Sequence, residues 1–282
     1  MRLLITLATL GALGYGGYWA YENKPIVRAK VDMIIDMIHN TEFHTLEARF
    51  TPEQIMNVYR TLLLKDDKHR FQPATTKFAP YLMMEVKYIN AQAETIESII
   101  LWDLIEGEML LNTTQWEKTH GFADCILANI RKNEFRVINA LAERGGTLDR
   151  EHLARILQVE NEQLGNWLEK CLRKKLIVQV GNSFRLHLQK PLLAFQPRTK
   201  IDERLVTKSL RSKDKIRRKF SDTQVRRVAE SAFGPDFAVR KTLIVYLPIY
   251  CITVENPDGS VHTSHWNALT GKEISFTALL EQ

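Results

Sequence analysis

The chain has 282 residues, 45% of them hydrophobic, and a formal net charge of +6. That is enough apolar material for a substantial core and, at roughly 100 to 200 residues per domain, for two or more folded units. Sparse glycine and the lack of a short period or low-complexity tract exclude fibrous, disordered and solenoid classes. The three cysteines, Cys125, Cys171 and Cys251, are odd in number and far apart, which argues against a disulfide framework or zinc site and for buried thiols.

From Leu3 to Tyr21 the chain carries no charge, and as a helix rising about 1.5 Å per residue it comes just under the roughly 30 Å of bilayer hydrocarbon. Tyr15, Tyr18, Trp19 and Tyr21 gather at its end, where amphipathic rings favour the headgroup level. Residues 1–22 are therefore expected to be a transmembrane anchor. A cleaved signal peptide is the competing reading, with Arg2 as a minimal charged start, although bulky aromatics crowd the place of a small-residue cleavage site. Lys24, Arg28 and Lys30 follow the segment and favour a cytoplasmic body on an inner or plasma membrane. Ala8, Ala12, Gly16 and Ala20 recur every four residues, a stripe that would let a second copy of the helix approach in a homo-oligomer.

Residues 23–125 are expected to form a small α+β module. Ile26 to Asn40 places Val31, Ile34, Ile35 and Ile38 on one helical stripe. Thr51-Pro52-Glu53-Gln54 supplies a capping box and an N1 proline for a helix that should bury Ile55, Val58, Tyr59, Leu62 and Leu63. Ser98 to Thr113 fits two strands about Glu106-Gly107, with Pro80 to Ile89 as a partner strand, and a helix over Thr95 to Ile105 fits nearly as well. Trp116 and His120 could line a pocket or pack at the module's edge.

Within residues 126–190 the periodicity sharpens. One helix turns Phe135, Ile138 and Leu141 inward, a second buries Leu153, Ile156 and Leu157, and a third buries Leu164, Trp167, Leu168, Cys171 and Leu172. Two β-type runs then meet at Gly181-Asn182. Three helices followed by a hairpin, over residues 132–188, resemble a winged helix-turn-helix domain. The resemblance implies a fold used in many DNA-binding regulators and, in other families, as a docking or structural module. On the third helix the candidate recognition contacts are Gln163, Asn166, Lys170, Arg173 and Lys174, but Glu162 and Glu169 share the outward face, and the acidic leading half opposes phosphate contact.

Residues 191–220 are expected to be a basic linker or helix. From Arg198 to Arg227 twelve Lys or Arg face four acids, a balance of +8 that exceeds the whole chain's +6 and leaves the rest net acidic. Arg211, Lys213, Lys215, Arg217, Arg218, Lys219, Arg226 and Arg227 are the candidate contacts to nucleic acid or anionic lipid. Residues 221–282 then read as a separate helix and β-hairpin unit, opened by the capping box at Ser221 and turning at Pro257-Asp258-Gly259 and Thr270-Gly271. That order of helix, hairpin and Thr-Gly turn resembles a PepSY-type module, a resemblance that implies a location outside the cytoplasm.

The expected class is thus α+β and multi-module. It comprises a transmembrane helix, a small α+β module, a winged helix and a C-terminal helix plus β-hairpin unit. No acid, base, nucleophile or phosphate-loop constellation has a specific spacing. His262 and His265, three apart on a strand, point to opposite faces and would not share a metal. The leading expectation is a membrane-anchored, non-enzymatic protein that needs no cofactor and binds partner proteins. A membrane-tethered DNA-binding regulator is the alternative.

Overall fold

A computed structural model describes residues 43–90, 92–188, 191–193, 196–209 and 214–274. The expected anchor at 1–22, its stripe Ala8, Ala12, Gly16 and Ala20, and the Ile26 to Asn40 helix lie outside the described residues. No helix of the described residues is long and apolar enough to cross a membrane.

In chain order the elements open with β1 (Phe43–Leu46), α1 (Pro52–Val58), α2 (Arg60–Leu63), β2 (Arg70–Phe71), β3 (Thr75–Ile89) and β4 (Thr95–Asp103). Then follow β5 (Met109–Asn112), β6 (Glu117–Lys118), α3 (Phe122–Leu127), α4 (Lys132–Glu143), β7 (Thr147–Asp149), α5 (Arg150–Leu157) and α6 (Asn161–Arg173). The chain continues through β8 (Ile177–Val180), β9 (Ser183–Leu186), β10 (Leu205–Lys208), α7 (Asp222–Phe233), β11 (Ala238–Glu255) and β12 (Val261–Asn267).

The expected multi-module α+β organisation is overturned. Strands from both ends of the described chain form one nine-stranded mixed sheet in the order β10-β1-β11-β3-β4-β5-β6, with β12 and β2 also on β11. The join is the antiparallel β3–β11 ladder, which runs from Ala238↔Lys87 to Pro248↔Phe78. The region read as a C-terminal helix and hairpin unit therefore supplies a central strand to the region read as an N-terminal module.

The residue pattern explains why such long strands form. In β3, Leu82, Met84, Val86 and Tyr88 join one buried cluster while Ala79, Tyr81 and Met83 join the other. That is the period-two alternation of a strand covered on both faces. The two prolines sit where the ladders change. Pro80 stands one residue beyond the last β4 pair, Tyr81↔Asp103. Pro248 is the last residue of the β3 ladder, one before the β12 ladder starts at Ile249↔Asn267. A missing N–H is tolerated at such breaks.

The Thr51 capping box starts α1, and Ile55 enters the core as expected, but Val58 is 73% and Leu62 68% exposed. Tyr59 is half-buried against Trp266, with ring centroids 4.6 Å apart. On the opposite face, α3, α4 and α7 contribute Phe122, Phe135, Val137, Val225 and Val228 to the same cluster as Leu82 and Trp102. Helices α4, α5 and α6 enclose Ile138, Leu153, Leu164 and Leu168, and the three-stranded sheet β7-β9-β8 closes that unit. Because all belong to one continuous core, this unit is packed onto the large sheet.

The basic linker is not a helix over its described residues. Thr199 and Lys200 form a wedge between β4 and β5: the Thr199 hydroxyl accepts from Leu101 N at 2.9 Å and donates to Leu110 O at 2.5 Å. Farther on, Ile216 N donates to Phe78 O at 2.8 Å and Phe220 N to Leu104 O at 2.9 Å. Ile216 and Phe220 are 3% and 1% exposed, so the segment is sewn to the sheet by both backbone and apolar side chains.

Candidate partner-binding face

The third helix of the packed unit, α6, divides cleanly. Leu164, Leu168 and Cys171 recur at i, i+4 and i+7 and are buried, with Trp167 and Leu172 half-buried beside them. Burial pushes the Cys171 thiol up to about 12, and Glu134 adds to the shift, so this cysteine is an inert core group. Ile156, expected in the core on α5, is instead 39% exposed.

The outward side of α6 carries Gln163, Asn166, Glu169, Lys170 and Arg173, all exposed. With Asn133 at the start of α4 and the edge of Trp167 they line a concavity of about 410 Å³. The Arg136 guanidinium lies 5.1 Å from the Trp167 ring centroid and also donates to Leu157 O at 2.6 Å, which fixes the aromatic wall. Four of the five expected recognition contacts thus share one groove. The fifth, Lys174, does not, because its ammonium donates to Glu134 Oε2 at 2.6 Å and to Asn129 O at 2.8 Å.

Gly165 on this helix is explained by its neighbour. A Cβ there would meet Arg150 Nη2 at 2.8 Å, and the Arg150 side chain crosses at this point to donate to Asn161 O at 2.7 Å. The helix-weakening glycine ties α5 to α6.

The candidate anionic-partner contacts are distributed differently. Arg211 and Lys213 lie outside the described residues. Lys215 stands over the rings of Phe43 and Tyr246 at 5.8 and 5.5 Å. Lys219 stands 5.3 Å from the Phe220 centroid. Arg226 pairs with Glu230 at 2.9 Å, and Arg227 Nη1 donates to Asn129 Oδ1 at 2.9 Å. Arg217 is exposed and Arg218 half-buried. The described part of the run thus makes separate contacts with different parts of the fold.

Two buried charge clusters have no counterpart in the sequence reading. Asp103 is fully buried; its Oδ2 accepts from the Tyr81 hydroxyl at 2.9 Å and the Lys118 ammonium at 2.6 Å. Its Oδ1 accepts from Ile105 N at 2.7 Å and Glu106 N at 3.0 Å. Burial raises the Tyr81 hydroxyl well above its ordinary value, so it stays a neutral donor, while the Asp103 and Glu106 carboxylates hold Lys118 protonated against its own burial.

Glu108 is the second cluster. Its carboxylate accepts from the Thr119 hydroxyl at 2.8 Å and from the amides of Gly121, Phe122 and Ala123 at 2.8, 3.3 and 3.1 Å, closing the start of α3. Burial raises its carboxyl, against the lowering effect of those donors. Both clusters are saturated with partners, the signature of structural groups. Glu203 is sparser: Arg49 pairs with its Oε1, and Oε2 has no donor among the described residues.

Trp116 packs edge-on against Tyr81 with centroids 5.5 Å apart, and exposed His120 forms a backbone bridge to Leu192. On β12, His262 registers with Val254 and His265 with Cys251. No group of three His, Cys, Asp or Glu able to hold a metal occurs among the described residues. No protein-family model, curated protein or solved structure matches the chain.

Proposed function

We propose that this chain is a non-enzymatic adaptor or assembly factor, held at a membrane by residues 1–22, that presents the α6 groove to a partner protein. The observation that carries the reading is the contrast in how polar groups are used. Asp103, Glu108, Lys118, Glu134 and Lys174 are all spent on the fold. By contrast, the side chains of Gln163, Asn166, Lys170 and Arg173 make no hydrogen bond or ion pair within the described chain and stand beside a fixed tryptophan. Exposed amides and cations around an aromatic edge are the makings of a polar protein contact. The order helix, strand, helix, helix, hairpin over Lys132 to Leu186 supports the winged-helix resemblance, and some members of that superfamily dock proteins.

Duplex DNA is the second reading, favoured by the convergence of Gln163, Asn166, Lys170 and Arg173 in one groove. Against it, Glu169 lines the same groove and Lys174 is committed to Glu134. Anionic lipid under the basic run is less favoured, since Lys215, Arg226 and Arg227 already have partners.

Titrating the detergent-solubilised full chain with duplex DNA at stepped salt separates the first two. The adaptor reading predicts no nanomolar binding at low salt. Binding with a log-log salt slope of about −5, the value for six neutralised phosphates, would replace it. If the body is cytoplasmic, a reporter active only outside the cytoplasm and fused after Gln282 stays silent.

A further inference from the structure

The charges on the outward face of α6 are ordered along the helix axis. Glu162 lies in the first turn and Lys170 and Arg173 in the last, with Glu169 between them, and all four are exposed. Two acids against two bases leave the face neutral. Glu169 and Arg173 stand at the i, i+4 spacing that favours pairing, yet neither makes an ion pair or hydrogen bond within the described chain, nor do Glu162 and Lys170. Gln163, Asn166, Lys170 and Arg173 also recur at i, i+3, i+7 and i+10, the spacing of a two-helix seam.

We propose that this face docks a second copy of the chain through an antiparallel α6–α6 contact about a two-fold axis. The proposal rests on the reading of the α6 face as a protein contact and names its occupant. Charge complementarity selects the copy. An axis at the level of Trp167 and Leu168 sets the first turn of one helix against the last turn of the other. Arg173 then faces Glu162 of the second copy, twice by symmetry, and Lys170 comes within one turn of the second copy's Glu169. A parallel pair would oppose like charges at every level. A uniformly charged occupant such as duplex DNA would lose at the acidic end what it gains at the basic one.

The contact is small. With 13 residues, α6 is about 20 Å long, and a polar seam of that length covers less than the roughly 1,200 Å² of a standard interface. Association is therefore weak and reversible. Two copies held in one membrane by residues 1–22 would meet at a raised effective concentration, which offsets the small area.

The test uses the full chain in native membrane, where Cys125, Cys171 and Cys251 are buried and give a low background. About the proposed axis Asn166 lies about 5 Å along the helix from its own counterpart, and Gln163 about 14 Å. A short bismaleimide should therefore link Asn166→Cys chains into dimers at least about tenfold more than Gln163→Cys chains. Charge reversal supplies the second arm, read by co-purification of differently tagged copies. Lys170→Glu with Arg173→Glu makes an all-acidic face, and Glu162→Lys with Glu169→Lys an all-basic one. Each variant alone should lose self-association at least about tenfold, because every cross-pair turns repulsive, and a mixture of the two should regain it. Equal linking at Asn166→Cys and Gln163→Cys would overturn the proposal, as would a mixture that associates no better than either variant alone. If wild-type copies do not associate but both charge variants lose a different co-purifying protein, the face is a protein contact and its occupant is not a second copy.

Discussion

Asp103 gathers four donors onto one buried carboxylate, and this is where single substitutions should cost most. Asp103→Ala leaves Lys118, with a side chain only 15% exposed, without its nearest counter-charge. Loss of one partner of a buried pair costs about 3–5 kcal/mol, which a urea titration reads as a lowered midpoint at unchanged slope. Gly107 is a second sensitive position. It has φ +80°, and a Cβ there would meet the Phe220 ring at 2.7 Å. Gly107→Ala should cost about 1–2 kcal/mol for the left-handed backbone and about 1–3 for overpacking. Gly165→Ala should differ sharply: a gain of about 1 kcal/mol in helix propensity offsets a displaced Arg150 hydrogen bond worth about 0.5–1.5, leaving stability nearly unchanged.

His265 supplies the pH dependence at this scale. Burial lowers its imidazole below the ordinary 6.5, partly opposed by Glu273, so the fold favours the neutral ring. A depressed folded value means that this stabilisation is fully present above about pH 6.5 and lost as pH falls through the folded value. Thermal melts taken from about pH 7 down to about pH 5 should show a fall in Tm that is reduced in His265→Phe.

At the scale of elements, legibility followed local pattern. Helix α6 was readable because its apolar residues repeat at helical spacing and its outward residues are polar, and four of its expected contacts do meet in one groove. The α1 helix was readable in its capping box but not in its burial, because periodicity marks an apolar stripe without saying which part of it meets a partner. Strand β4 was ambiguous with a helix because an apolar run covered on both faces loses its alternation. The clusters at Asp103 and Glu108 were not readable: their side-chain donors Tyr81, Lys118 and Thr119 lie ten or more residues away, and only folding brings them together. The basic run misled because charge dominates composition, whereas the determinants of its path are Thr199, Ile216 and Phe220. Phe220→Ala, which empties a site against Gly107 and α7, should therefore cost about 3–5 kcal/mol, more than neutralising exposed Arg217, which should stay within about 0.5.

The whole molecule departs from the expected string of modules for one reason. The β3–β11 ladder joins residues about 150 apart, as in Ala238↔Lys87, and no local pattern records such a pairing. Hairpin logic paired each strand with its nearest neighbour, which holds for β4 with β5 and β11 with β12, but leaves unstated that β11 also borders β3 and β1. The consequence is geometric. A helical unit packed on a sheet formed from both ends of the described chain holds the α6 groove in the frame of that sheet. The most direct test is to purify the detergent-solubilised full chain beside a variant carrying Gln163→Ala, Asn166→Ala and Lys170→Ala, and to quantify co-purifying proteins. The account predicts a stoichiometric partner that the variant loses while its urea midpoint is unchanged. A partner retained equally by both chains would contradict it.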